Sequence, residues 1–359
     1  MSTATELKSL YHKGKKRKIL VILSLFLALL IIIIISVSLG AGSPRFNEAI
    51  QVILSKLFPF LGFDPGPQIT QTIIFDIRLP RVVLAVIAGA GLAASGVAMQ
   101  GVLKNPLVSP YILGISSAAG FGAALAIALG IGVVTQYGDY IIVANAFVFS
   151  ILVMLMVYGV ARLRGITPES VILAGVAFGF LFSAMTALIQ FIAPEHAAVR
   201  VVFIWLLGGG LTTATWESIL IALPIVLVAI ALTMRYSWDM NVMSLGEEVA
   251  MSIGVNSKQV IVICMALATL ATASIVSFTG AIGFICLVSP HIARMMIGSD
   301  HRFLLPCSTV LGACLLLCSD TLARLVLMPS EVPVGIVTAL IGVPFFLYLL
   351  LSKRRQFWH

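Results

Sequence analysis

Ten apolar runs separated by short polar segments dominate this chain, and they constrain its fold more than any other feature. A helix needs about 20 apolar residues to cross the hydrocarbon core of a bilayer, and most of the runs are near that length. Strands are disfavoured because the runs are too long and because lipid-facing backbone must be paired within a helix or a closed barrel. The sequence therefore predicts an all-α polytopic membrane protein with ten transmembrane helices. The runs are 19–39, 82–103, 111–131, 139–161, 171–193, 217–234, 259–278, 281–297, 304–327 and 333–351.

Composition agrees with a chain whose solvent is lipid. Of its 359 residues 60% are hydrophobic and only 10% are charged, whereas a soluble domain averages about 25% charged residues. The net charge of +8 is compatible in principle with nucleic-acid binding, but the basic residues lie in short segments between apolar runs. That pattern is typical of membrane orientation. We therefore expect membrane lipid as a partner, and no nucleic acid.

The distribution of basic residues predicts the orientation of the ten helices. With ten crossings both termini lie on the same side, and 16 of the 22 Lys and Arg residues then fall on that side. The side richer in Lys and Arg is the cytoplasmic one. We expect a multi-pass protein of the cytoplasmic membrane, with a basic tail at 1–18, a ten-helix transmembrane domain at 19–351 and a second tail at 352–359. The first run also resembles a signal peptide, but its 21 residues favour an uncleaved span.

A tetrapeptide, LVSP, occurs at 107–110 and again at 287–290. The first copy follows predicted helix 2, which runs inward, and the second follows predicted helix 7, which runs outward. Helices 2–5 and 7–10 would then form an inverted repeat, whose interface places a substrate path lined by short or broken helices. A chance match of four residues in an apolar chain is the alternative.

One polar segment is long enough to carry a function on the predicted cytoplasmic side. Within 235–258 the stretch SLGEEVAMSIG indicates a short helix, with Ser244 as its cap, Glu247 and Glu248 in its first turn and Gly254 at its end. Such a helix suits docking in the groove of a partner. The alternative is a plain surface connector.

Four charged residues lie at the predicted outer ends of spans. Asp320 and Arg324 are four residues apart on one helix and are expected to pair. Arg78 and Arg81 open predicted helix 2. They are interpreted either as arginines that extend to the membrane edge or as a docking surface for an acidic partner.

Catalytic and metal-binding signatures are missing from the sequence. It contains no phosphate-binding loop of the G-x-x-x-x-G-K-[ST] type, and its five cysteines form no C-x-x-C pair. His291 has no clustered carboxylate or second histidine nearby in the sequence, so a structural role is expected. Few ionisable residues lie deep in any span, although ion-coupled carriers usually need them. Energy is therefore expected from a separate subunit; an ion-coupled secondary transporter and a structural anchor subunit are the alternatives.

Several long motifs, in one order, resemble the membrane subunits of ATP-driven importers for iron–siderophores, haem and cobalamin. The resemblance covers about 75–352. The motifs are RLPRVVLAVIAGAGLAASGVAMQGVLKNPLVSPYILGISSAAG (78–120), SLGEEVAMSIGV (244–255), GAIGFICLVSPHIARMMIGSDHRFLLP (280–306), DTLAR (320–324) and EVPVGIVTALIGVPFFLYLLL (331–351).

The resemblance implies a transport subunit without catalytic residues, cofactor or metal of its own. It implies a second copy of the chain, two cytoplasmic ATPase subunits docked on the coupling segment 235–258, and an extracytoplasmic solute-binding protein. Two departures are the gate segment TPES, where small hydroxyl residues are expected, and Gly210, where the family often has serine. By position, the implied docking residues for the binding protein are Arg78, Arg81 and Arg324; the cytoplasmic gate residues are Asn105, Leu107, Thr167, Pro168 and Glu169; and the ATPase-coupling residues are Leu245, Gly246, Glu247, Glu248, Ala250 and Gly254.

Overall fold

A computed structural model describes residues 2–40, 44, 46–132 and 140–351, and over these ranges the regular structure is entirely helical. The C-terminal tail at 352–359 lies outside the described residues. Short 3-10 helices, one π-helical turn and irregular segments connect the α-helices. The α-helices are α1 (Ser2–Ser38), α2 (Phe46–Leu57), α3 (Gln68–Thr72), α4 (Leu79–Val102), α5 (Ile115–Leu129), α6 (Tyr140–Leu163), α7 (Pro168–Ile192), α8 (His196–Leu206), α9 (Trp216–Arg235), α10 (Ser237–Met243), α11 (Glu247–Ser252), α12 (Ser257–Thr279), α13 (Ile285–Ile297), α14 (His301–Leu325) and α15 (Val334–Leu351).

Each of the ten predicted apolar runs contains a helix, which confirms the all-helical membrane class. Among the described residues, seven helical segments are long and apolar enough to cross a membrane. They comprise α1, α3–α4 taken with the π-turn between them, α6, α7, α9, α12 and α14. The remaining predicted spans correspond to the shorter helices α5, α13 and α15. Helix length alone therefore gives seven spans, and the arrangement of ten is a proposal.

Helix α4 lies at the centre of the bundle and packs against α9, α12, α13 and α14. Small residues allow this close approach, as is usual between helices in a membrane. A Cβ added to Gly89 would overlap the backbone of Gly312 in α14, and one added to Gly312 would overlap Ala93. A larger residue at either glycine would push α4 and α14 apart.

Contacts between helices occur in matching sets in the two halves of the chain, α4–α7 and α12–α15. Helix α4 packs on α14, and its counterpart α12 packs on α6. Helix α5 contacts α6 and α7, just as α13 contacts α14 and α15. Helix α4 also contacts α13, as α12 contacts α5. Exchanging the two halves leaves this pattern unchanged.

The two LVSP segments adopt different backbone conformations. Residues 107–110 lie in the turn after α4 and reach a 3-10 segment, Pro110–Leu113, whereas 287–290 lie within α13. The shared tetrapeptide therefore does not mark equivalent backbone positions. Residues next to the two LVSP segments nevertheless bond to each other. The Tyr111 hydroxyl donates to the Ile282 carbonyl at 2.7 Å and accepts from the Ile282 N–H at 3.1 Å. Ile282 lies outside any helix, so Tyr111 satisfies backbone groups that the bundle would otherwise leave unpaired.

Candidate functional site

Two of the three docking arginines predicted from the sequence, Arg81 and Arg324, contact one buried carboxylate, Asp320. Asp320 of α14 is fully buried, and both of its oxygens accept from the Nε of Arg81, at 2.9 and 3.2 Å. The Nε of Arg324 lies 3.2 Å from Asp320 on the same helix, which confirms the predicted pair four residues apart. The cluster thereby joins the first turn of α4 to the last turns of α14.

Two of these arginines also bind the carboxyl end of α1. Arg78 donates to the carbonyl oxygens of Val37 and Ser38 at 3.2 and 3.3 Å. Arg324 donates to the carbonyl oxygens of Ser36 and Leu39, both at 3.1 Å. The last carbonyls of a helix have no partner within the helix, and cations are favoured there by the helix dipole. Arg78 and Arg324 therefore hold the end of α1 against the bundle.

The structure thus places all three predicted docking residues in the interior. Arg78, Arg81 and Arg324 are between 4% and 7% exposed. The accessible member of the cluster is Glu331, whose side chain is 37% exposed and pairs with Arg81. Sequence reasoning assigned no role to Glu331, although it is the first residue of the motif at 331–351.

The coupling segment consists of two short helices, α10 and α11, rather than one. The expected cap, Ser244, is wrong: its hydroxyl donates to the Asn241 carbonyl at the end of α10, and Gly246 with φ of +125° precedes α11. Glu247 and Glu248 occupy the first turn of α11 as expected. Gly254 follows the helix with φ of +84°, a conformation that L-residues rarely adopt, which supports its predicted role as the end signal.

Helix α11 is anchored on one side and open on the other. Ala250 is fully buried in a cluster that also contains Met240 and Met243 of α10. The open side presents an apolar and acidic surface next to a groove of about 380 Å³ lined by 254–258 with Glu247 and Met251. A short helix of this kind offers a partner both hydrophobic contact and charge. The exposed side chains are Leu245, Glu247, Glu248, Val249, Met251 and Ile253.

The predicted gate residues lie in the turn after α4 and at the start of α7. The Asn105 side chain accepts from the Leu107 N–H at 2.9 Å, and Leu107 itself is 49% exposed. Thr167 caps α7: its hydroxyl accepts from the Ser170 N–H, and the Ser170 hydroxyl accepts from the Thr167 N–H. Pro168 occupies the first position of α7 and Glu169 its first turn. The unusual segment TPES is therefore a capping sequence, a role that its spacing already allowed.

Among the described residues, no group of three or more His, Cys, Asp or Glu side chains is close enough to hold a metal ion. Four of the five cysteines are buried and Cys318 is exposed, and all five thiols are free. The described residues include ion pairs around the buried Asp320 and an exposed apolar and acidic face on α11.

Comparison with known proteins gives one consistent family. The FecCD transport family model matches residues 28–352. The cobalamin import permease of Halobacterium salinarum is 40% identical over 289 residues, which cover 80% of this chain and 76% of that protein. The haemin transport permease of Yersinia pestis is 38% identical over 281 residues, covering 78% of this chain and 84% of that protein. A solved ABC transporter of metal-chelate type, in an inward-facing conformation, has a TM-score of 0.79 and 32% identity, covering 93% of this chain and 99% of that one.

Proposed function

The chain belongs to the FecCD transport family and is the permease subunit of an ABC importer, and we propose from this premise that its cargo is a metal chelate: an iron–siderophore, haem or cobalamin. The observation that carries the proposal is the match of fold and sequence along almost the whole chain to a metal-chelate transporter. Relatives of 35–40% identity are named for cobalamin, haemin, ferric citrate and molybdate. Similarity of this degree assigns the permease role. Uptake measurements are needed to identify the individual cargo.

Ten transmembrane helices are proposed, arranged as an inverted repeat of α4–α7 and α12–α15, with both termini in the cytoplasm. The matching contact sets of the two halves support the repeat. The two ends of the antiparallel pair α4 and α14 support the topology. At one end lie Arg81 and Asp320, and at the other Gly101 lies against His301. The second end carries the coupling segment, and the bias of Lys and Arg assigns this end to the cytoplasm.

The partners proposed are a second copy of the chain, two cytoplasmic ATPase subunits and an extracytoplasmic binding protein. Each ATPase subunit would dock on the open side of α11, whose exposed apolar residues have no partner within the described chain. The turn at 103–107 and the start of α7 at 167–169 would form the cytoplasmic gate of a central pathway. The first leads through a 3-10 segment into α5 and the second begins α7, so movement of these two helices would open or close the gate.

Docking of the binding protein at the arginine cluster requires an exchange of carboxylates. Arg81 already pairs with two acidic residues, of which Asp320 is fully buried and Glu331 is partly exposed. An acidic side chain of the binding protein would replace Glu331 on Arg81 and leave Asp320 in place. Charges of this kind increase the rate of association more than they increase affinity.

The decisive experiment reconstitutes the permease with its ATPase and binding-protein partners in liposomes. We expect uptake of a ferric siderophore, haem or cobalamin that requires ATP inside and the binding protein outside. The matched control is a variant of the ATPase subunit that binds ATP without hydrolysing it, and it should abolish uptake. Uptake driven by a proton or sodium gradient without ATP would contradict the proposal and favour a secondary transporter.

A further inference from the structure

Asn241 connects the coupling segment to the transmembrane bundle. It lies in α10, and its carbonyl oxygen accepts from the His301 N–H at 2.8 Å and lies 2.8 Å from His301 Nδ1. Its amide nitrogen donates to Asp300 at 2.8 Å. The orientation of the amide is determined by these partners, because a flipped amide would place NH₂ against N–H and oxygen against a carboxylate. Since the amide oxygen only accepts, His301 carries a proton on Nδ1.

Asp300 is held as a carboxylate at this junction. It caps α14, accepting from the Arg302 N–H at 3.2 Å, and the Arg302 guanidinium donates to it at 3.0 and 2.8 Å. Burial raises the pKa of Asp300, but the hydrogen bonds from Arg302 and Asn241 outweigh this and lower it to about 2. The Arg302 guanidinium also lies 5.1 Å from the centre of the Trp238 ring, so a second residue of α10 contacts the start of α14.

The junction of α10 with the start of α14 also contacts the coupling helix α11 and the end of α4, next to the proposed gate. Met240 and Met243 of α10 share a hydrophobic cluster with Ala250 of α11, so the two helices pack as one unit. On the far side, a Cβ added to Gly101 would lie 2.7 Å from His301 Nε2, which places the imidazole directly on the last turn of α4. Helix α4 leads into the turn that contains Asn105. A displacement of α11 therefore reaches both the start of α14 and the end of α4.

We propose that Asn241 is the positioning residue that transmits movement of the coupling helix α11 to α14 and, through His301, to the end of α4 beside the gate. The proposal rests on the coupling role proposed above for residues 235–258. Asn241 is suited to this task because it bonds both to the capping carboxylate of α14 and to its first residue. A side chain that merely filled space would hold α10 in place without fixing its direction of movement relative to α14.

The test uses the complete transporter in liposomes and measures cargo taken up per ATP hydrolysed. Asn241→Asp places a second carboxylate against Asp300, and we expect the ratio to fall about tenfold, within the usual range of coupling between sites. In an Asp300→Asn background, which removes the opposing charge, Asn241→Asp should leave the ratio nearly unchanged. Asn47→Asp is the matched control, because it is the same chemical change at an exposed site of α2, outside the coupling segment.

A fall of about tenfold with Asp300 present, together with little change in the Asp300→Asn background, supports the proposal. Asn241→Ala, which removes both hydrogen bonds without adding a charge, should also lower the ratio and replaces the aspartate variant if that one assembles poorly. An unchanged ratio in Asn241→Asp or Asn241→Ala, or an equal fall on Asn241→Asp in the Asp300→Asn background, overturns it. Met251→Glu on the open side of α11 tests the coupling role separately, since it should prevent co-purification of the ATPase subunit. If Met251→Glu leaves co-purification and ATPase activity intact, the proposed coupling role itself fails.

Discussion

Asp320→Asn is the substitution with the largest expected effect on stability in the arginine cluster. It keeps the shape of the side chain and removes the buried negative charge that binds Arg81 and Arg324. Glu331 then remains as a counter-ion, and it is partly exposed. Removing one member of a buried ion pair costs about 3–5 kcal/mol, because the other charge is left buried and unpaired. The end of α1 should loosen as well, since Arg324 is shared between Asp320 and Ser36.

The assay is thermal unfolding of the purified permease in nanodiscs, followed by intrinsic fluorescence. A loss of this size should lower the midpoint by at least about 5 °C. The matched control is Asp64→Asn, the same chemical change at an exposed site, which should alter the free energy of unfolding by less than about 0.5 kcal/mol. If Asp320→Asn and Asp64→Asn melt within about 1 °C of each other, the buried cluster does not stabilise the fold as argued.

Four further predictions address topology, coupling, docking and pH. In a background without the natural cysteines, Ser252→Cys should resist an impermeant thiol reagent in intact cells; labelling from outside would refute the orientation. Gly254→Leu should strain a backbone with φ of +84° and uncouple ATP hydrolysis from uptake, and normal values of both would contradict its role. Glu331→Gln should remove the exposed carboxylate that competes for Arg81 and so speed association of the binding protein at low salt; an unchanged rate would argue against docking at this arginine. Because the pKa of Asp300 is lowered to about 2, its contribution to stability is complete above its ordinary pKa and is lost as the pH falls towards 2. Unfolding midpoints of wild type and Asp300→Asn should therefore differ at pH 6 and converge at low pH, and a constant difference would refute the assignment.

The features that were predictable from the sequence are those set by neighbours along the chain. The apolar runs place the helices because the length and polarity of one segment decide whether it can lie in lipid. The pairing of Asp320 with Arg324 follows from helical spacing, and Gly254 ends α11 because it tolerates a positive φ. The two-helix form of the coupling segment was not predictable. Ser244 bonds to Asn241 in α10 instead of capping α11, and that contact exists only because α10 forms directly before it.

Length, hydropathy and motif order thus determined from the sequence alone that this is a helical permease with a short helix in a long polar segment. Tertiary structure alone decided which charges are accessible. Arg81 meets a carboxylate 239 residues away, and Arg324 meets a helix end 288 residues away, so both are buried rather than displayed. Asn241 acquires its partners in the same way, from a residue 60 positions along the chain. The environment of a charge depends on which helices become neighbours, and that is settled by packing of the whole bundle rather than by any local pattern.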